Sequence, residues 1–216
     1  LLLTLIALLA VPLKIMSYGY RPPDDAKRHS AHALDTRTWD EIVVQNSGAV
    51  ADTNPGWDTL LRLLHKQFNW DQEELLIFSV VGLASLYLLT GLFLVQDSMA
   101  WAIGLLVGLL TSSSLITRIT IGRPFIITIC CMMGVMMIWR KSRIAFAWRL
   151  IVTLVLFALS CWFHGSWYLA VLIPVSFVLT GQFTSGVLIG LCWLGGSFLG
   201  GLLTGYPFAF LYQEFS

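Results

Sequence analysis

The sequence predicts an all-α, polytopic membrane protein of about seven transmembrane helices, with a long first extracytoplasmic loop that carries amphipathic interface helices. Three observations predict it. Hydrophobic residues make up 57% of the chain and mean hydropathy is +0.78, well above a soluble domain. Seven apolar runs, at 1–17, 75–95, 99–116, 125–139, 144–163, 167–180 and 185–204, recur at or somewhat below the roughly 20 residues that cross a bilayer core. Ten of the twelve acidic residues fall between Ser17 and Glu74, so negative charge is concentrated in one segment, 18–74.

The first run is apolar apart from Lys14, with no basic leader before it and no small-residue cleavage site after it, so it reads as a transmembrane helix and not as a signal peptide. The runs at 125–139 and 167–180 are short and read as oblique or half-inserted. Together 75–204 form a bundle of about six helices, and 205–216 an extracytoplasmic tail or the start of a further region of a longer protein. Arg140, Lys141, Arg143 and Arg149 crowd the connection between the fourth and fifth runs. Cytoplasmic loops retain an excess of Lys and Arg, so this connection is cytoplasmic, the N-terminus is cytoplasmic and the acidic first loop is extracytoplasmic. That topology gathers Asp24, Asp25, His29 and His32, Arg118 and Arg123, and His164 on one outer face.

Within the loop, Pro22-Pro23-Asp24 is a helix-start signal, with Asp24 able to cap and the acidic first turn favoured by the helix dipole. On that helix Asp25, His29 and His32 stand at i, i+4 and i+7, on one face. A carboxylate and two imidazoles together suit acid–base work or a divalent metal. They are an incomplete ligand set, so no cofactor is assigned, and Asp25, His29 and His32 are the residues a divalent metal would use. The plain alternative is a cap and two solvated histidines. Asp52 to Asp58 reads as a turn leading into a helix over 57–70, where Trp57, Leu60, Leu61, Leu64 and Phe68 recur at helical spacing. This helix either lies in the membrane interface, with Trp57 and Trp70 at headgroup level, or packs against its own loop.

Arg118 and Arg123 bracket a tight outer turn before Pro124. Their guanidinium groups suit bidentate contact with phosphate, or snorkelling to lipid headgroups. His164, in a short hairpin between two apolar runs, positions a ligand or ends a helix. Gly195-Gly196, Gly200-Gly201 and Gly205 read as close-packing positions. Cys130, Cys131, Cys161 and Cys192 lie in apolar runs without metal-type spacing and read as structural. A net charge of +1 gives a nucleic-acid partner no electrostatic footprint. Charged side chains, Lys14 apart, avoid the span centres, which places a transporter behind the readings below.

These pieces resemble the N-terminal transmembrane portion of a GT-C superfamily integral membrane glycosyltransferase, a class dependent on polyprenyl-phosphate-linked sugars. The resemblance rests on the first span followed by a long outer loop opening with Asp24-Asp25, the interface helices, the Gly122-Arg123-Pro124 turn and the Phe163-His164-Gly165-Ser166 hairpin. It implies that Asp25, or else Asp24, is the general base that deprotonates an acceptor hydroxyl for attack on the anomeric carbon. It further implies that Arg118 and Arg123 hold the donor phosphate, that His164 and His29 help bind substrate, and that the protein sits in a bacterial inner membrane. Its partners would be a polyprenyl-phosphate-linked sugar or other lipid, the bilayer, and partner membrane subunits. The Asp-Asp-Ala-Lys-Arg-His run departs from the familiar Asp-Glu pair, and the sequence ends before the C-terminal soluble domain that many relatives carry. A non-catalytic GT-C-like subunit that binds lipid or scaffolds a larger membrane complex is the alternative.

Overall fold

The computed structural model describes residues 25–35, 52–94, 97–112, 121–140 and 144–213, and, before these, Leu2, Ile6, Leu9, Ala10, Leu13, Lys14, Ser17 and Gly19. Among the described residues the protein is all-helical, with no strand. It divides into two compact units, Leu1–Asp35 with Asp58–Ile126 and Thr36–Trp57 with Ile127–Ser216.

The first unit contains α1 (Asp25–Leu34), α2 (Pro55–Phe68) from Asp58 onward, α3 (Gln72–Leu94) and α4 (Ser98–Thr111). A reciprocal capping box starts α3: Glu74 N–H donates to Asp71 Oδ1 and Asp71 N–H to Glu74 Oε2, both at 2.9 Å. Asp97 starts α4 by accepting from Ala100 N–H at 2.9 Å. α1 packs on α3 through buried Ala26, Leu76 and Val80. Lower on α3, Leu88 meets Ala102 and Leu105 of α4, with Leu9 packed against the same cluster.

The second unit contains α5 (Phe125–Arg140) from Ile127 onward, α6 (Phe146–Phe163), a 3-10 turn (Ser166–Val171), α7 (Leu172–Leu179), α8 (Phe183–Leu202) and α9 (Pro207–Gln213). Its core joins Val135, Trp139, Phe157, Ile173 and Ile189. α8 lies along α6 through glycines: a Cβ built on Gly196 would stand 2.7 Å from Leu154 O, and one on Gly200 2.5 Å from Ala158 O. Gly196 and Gly200 thus have the close-packing role expected of them. Two hydrogen bonds tie polar groups within this unit, Trp139 Nε1–H donating to Thr153 Oγ1 at 2.9 Å and Cys161 Sγ–H to Ser197 O at 3.2 Å.

Among the described residues three helical stretches are long and apolar enough to cross a membrane, Gln72–Leu92, Phe146–Phe163 and Phe183–Leu202. The last two turn Trp148, Ile151, Leu191 and Leu194 outward, a surface suited to lipid. α4 and α5, with 14 and 16 residues, are only about 21 and 24 Å long at 1.5 Å per residue. The expected run at 167–180 is a 3-10 turn followed by an eight-residue helix instead of one span. Pro174 fits this arrangement because it occupies the first turn of α7, where backbone N–H groups have no partner within the α-helix itself. Most of 1–17, residues 113–116 of the third run, and Lys141 and Arg143 lie outside the described residues.

Candidate functional site

The first unit buries three side chains that carry chemistry: His29, Asp58 and His32 expose 0%, 2% and 7% of their surface. His29 and His32 stand at i and i+3 on α1 and face α2, where Asp58 occupies the first turn. Its carboxylate meets both rings, Oδ1 2.5 Å from His29 Nδ1 and Oδ2 2.9 Å from His32 Nδ1. Burying a lone carboxylate is costly unless it is paired and hydrogen-bonded. Two imidazole partners and the positive end of the α2 dipole both offset that cost.

The pairing fixes the tautomers. An ionised carboxylate only accepts hydrogen bonds, so each Nδ1 donates, and a neutral ring then carries its lone pair on Nε2. His29 Nε2 is buried and has no hydrogen-bond partner among the described residues. The cluster therefore holds a basic nitrogen in a dry setting, its ring oriented by a carboxylate. Such a nitrogen accepts a proton or binds a Lewis acid.

The turn carrying Arg123 belongs to the same unit and is seated on the start of α1. Ala26 N–H donates to Ile121 O at 3.3 Å. Gly122 adopts φ +66°, and a Cβ there would stand 3.1 Å from Ala26 Cβ and 3.2 Å from Val80 Cγ2. Glycine is required at this point both for its left-handed backbone and for the close approach. The structure thereby brings the backbone of the Arg123 turn beside that of Asp25, the first residue of α1. Of Asp25 only the backbone is described, and Asp24 and Arg118 lie outside the described residues.

His164 lies in the second unit and ends α6. Its N–H donates to Ser160 O at 3.2 Å, and its Nδ1 accepts from Ser166 N–H at 3.0 Å, which ties the helix end to the following 3-10 turn. In the same unit a Cβ on Gly56 would stand 2.8 Å from Trp162 Cδ2, so the start of α2 and the end of α6 are in close contact there.

Asp58 was not among the residues singled out from the sequence. The carboxylate that the structure brings to the histidine pair comes from α2, 29 and 26 residues further along the chain. On α2 the buried positions are Gly56, Trp57, Asp58 and Leu61, so an acid stands on the apolar stripe and not opposite it. α2 meets α1 through Asp58, while Leu63 and Phe68 remain exposed. No protein-family model, curated protein or solved structure matches the chain.

Proposed function

We propose that the chain is the transmembrane portion of a GT-C-like membrane glycosyltransferase that transfers a sugar from a polyprenyl-phosphate donor to an acceptor on the extracytoplasmic face. In this reading seven spans cross a bacterial inner membrane, with the N-terminus cytoplasmic and the first loop outside. The observation that carries it is the seating of the Gly122-Arg123 turn on the first turn of α1, which joins an acid-bearing and a guanidinium-bearing segment within one unit.

Asp25, with Asp24 beside it, takes the proton of the acceptor hydroxyl while the acceptor oxygen bonds to the anomeric carbon and the bond from that carbon to the phosphate oxygen breaks. Polyprenyl phosphate leaves with the bonding pair. Arg123, with Arg118, offsets the charge that grows on the departing phosphate. The buried His29–Asp58–His32 cluster holds α1 in place beneath Asp25, the supporting shell a positioned base requires.

The test is transfer of radiolabelled sugar from a panel of polyprenyl-phosphate donors by the purified full chain in liposomes. General-base loss predicts that Asp25→Asn slows transfer by about 10²–10⁴-fold. Arg123→Lys weakens donor use because a point charge replaces a bidentate fork. Unchanged transfer in Asp25→Asn refutes the assignment of the base. Donor lipid bound but never turned over across the panel replaces the enzyme with the non-catalytic, lipid-binding subunit.

A further inference from the structure

We propose that α9 lies in the headgroup region of a phospholipid bilayer, with Tyr206, Phe208 and Tyr212 turned into it, and so fixes the depth at which α6 and α8 leave the membrane. α6 and α8 run parallel. A Cβ on Gly196 would meet Phe157 and Ala158, and one on Gly200, a turn further on, would meet Cys161 and Trp162. Their C-terminal ends, Phe163 and Leu202, therefore stand at one level. Both helices are long and apolar enough to cross a membrane. The 20 residues of α8 rise about 30 Å, the thickness of the hydrocarbon core. Chain that follows two such ends at a common level enters the boundary between hydrocarbon and water.

α9 is docked at that level. Gly205 N–H donates to Leu202 O at 3.1 Å, and Gly205, at φ +80°, turns the chain. Phe210 is fully buried in a cluster with Cys161 and Trp167, beside the end of α6. Pro207 and Leu211 lie against the last turn of α8, each with an atom 3.5 Å from where a Cβ on Gly201 would stand. With that side covered, Tyr206, Phe208 and Tyr212 expose 60%, 76% and 74% of their surface. The Phe208 ring centre is 6.0 Å from that of Phe198, one turn inside the end of α8, so Phe208 leans toward the hydrocarbon. Trp162 and Phe163, half-buried at the end of α6, belong to the same level. Aromatic rings, tyrosine and tryptophan above all, gather at membrane–water interfaces, where the ring meets acyl chains and the polar tip meets water. A short helix with one docked side and a row of aromatic rings on the other fits that position. The segment 205–216, read from the sequence as a tail or the start of a further region, thus holds a helix seated at the mouth of α6 and α8.

The test uses the full chain, labelled with fluorotyrosine, in phosphatidylcholine nanodiscs, with Tyr206→Phe and Tyr212→Phe assigning the two fluorine signals. Three paramagnetic probes are compared: a phosphatidylcholine with a nitroxide on its headgroup, one with a nitroxide near the end of an acyl chain, and a water-soluble gadolinium chelate. Both signals are expected to broaden most with the headgroup nitroxide. Strongest broadening by the chelate places α9 in water and overturns the proposal, and strongest broadening by the chain-end nitroxide places it in the hydrocarbon and does the same. Protection from all three probes shows that protein, a second copy of the chain, covers the rings, which also overturns it. No sugar transfer is measured, so failure here is distinct from failure of the glycosyltransferase reading.

Discussion

Replacing Gly122 with alanine tests how the Arg123 turn is seated on α1. Two costs add. At φ +66° a residue with a Cβ occupies the left-handed region, at about 1–2 kcal/mol. The new methyl would also meet Ala26 Cβ at 3.1 Å, Ser79 C at 3.2 Å and Val80 Cγ2 at 3.2 Å, and overpacking of this kind costs about 1–3 kcal/mol. The sum is a destabilisation of about 2–5 kcal/mol. Gly181 and Gly205 provide the control, since both have φ +80° and a Cβ there would meet nothing within 4 Å. Gly181→Ala and Gly205→Ala therefore carry the backbone cost alone, about 1–2 kcal/mol. The assay is unfolding in mixed micelles by denaturant titration, with hydrogen exchange at α1 amides as a local readout. Gly122→Ala is expected to be the most destabilised of the three and to raise exchange in α1. If it falls within error of Gly181→Ala, the contact with Ala26 and Val80 contributes nothing and the seating argument fails.

Asp58→Leu removes the acceptor for two buried imidazole N–H groups and is expected to lower stability by about 3–5 kcal/mol in the same titration. Gly200→Leu drives a side chain into the Ala158 carbonyl 2.5 Å from the Cβ position and is expected to separate α8 from α6, read as lost protection of Cys161 against thiol labelling. Asp71→Ala removes one half of the capping box at the start of α3, for a loss of about 1 kcal/mol measured by unfolding. Trp139→Phe deletes the hydrogen bond to buried Thr153 and costs about 1 kcal/mol, and Trp139→Phe combined with Thr153→Val is expected to cost less than the sum of the two single changes.

The apolar helices were legible because a lipid solvent writes its demand into composition over many consecutive residues. The expected runs at 75–95, 144–163 and 185–204 correspond to α3, α6 and α8 within three residues at each end. The largest shifts at the starts have a local cause: α3 begins at Gln72, ahead of the apolar run, because the Asp71–Glu74 box extends the helix through a polar turn that hydropathy discards. The helix start after Pro22-Pro23 was equally legible, since proline and acid punctuate the chain whatever packs against it. Asp58 was not. Periodicity assigns an acid beside Trp57 to the exposed face, and only the two imidazoles of α1 make its burial tolerable. That pairing is tertiary and leaves no period in either segment. The break at Ser166–Val171 was hidden for the same reason, because its residues are as apolar as those of a continuous span.

The order of α1 also bears on what a change at Asp58 would mean. A ten-residue helix is shorter than the roughly 12–15 residues at which isolated helices become even marginal in water. The described contacts that hold α1 are Ala26 against Leu76 and Val80, the Ile121 carbonyl accepting from its second residue, and Asp58 clamping His29 and His32. The first two act at the end that bears Asp25; the third acts one and two turns further on. Loss of the clamp therefore frays α1 from its C-terminal side, and the start of the helix stays tied to α3 and to the Arg123 turn. Asp58→Asn should thus raise amide exchange at Ala31 to Leu34 before it does so at Ala26. A variant that slows sugar transfer with all of α1 still protected would show that Asp58 acts through the imidazoles it orients, and not by keeping a short helix folded.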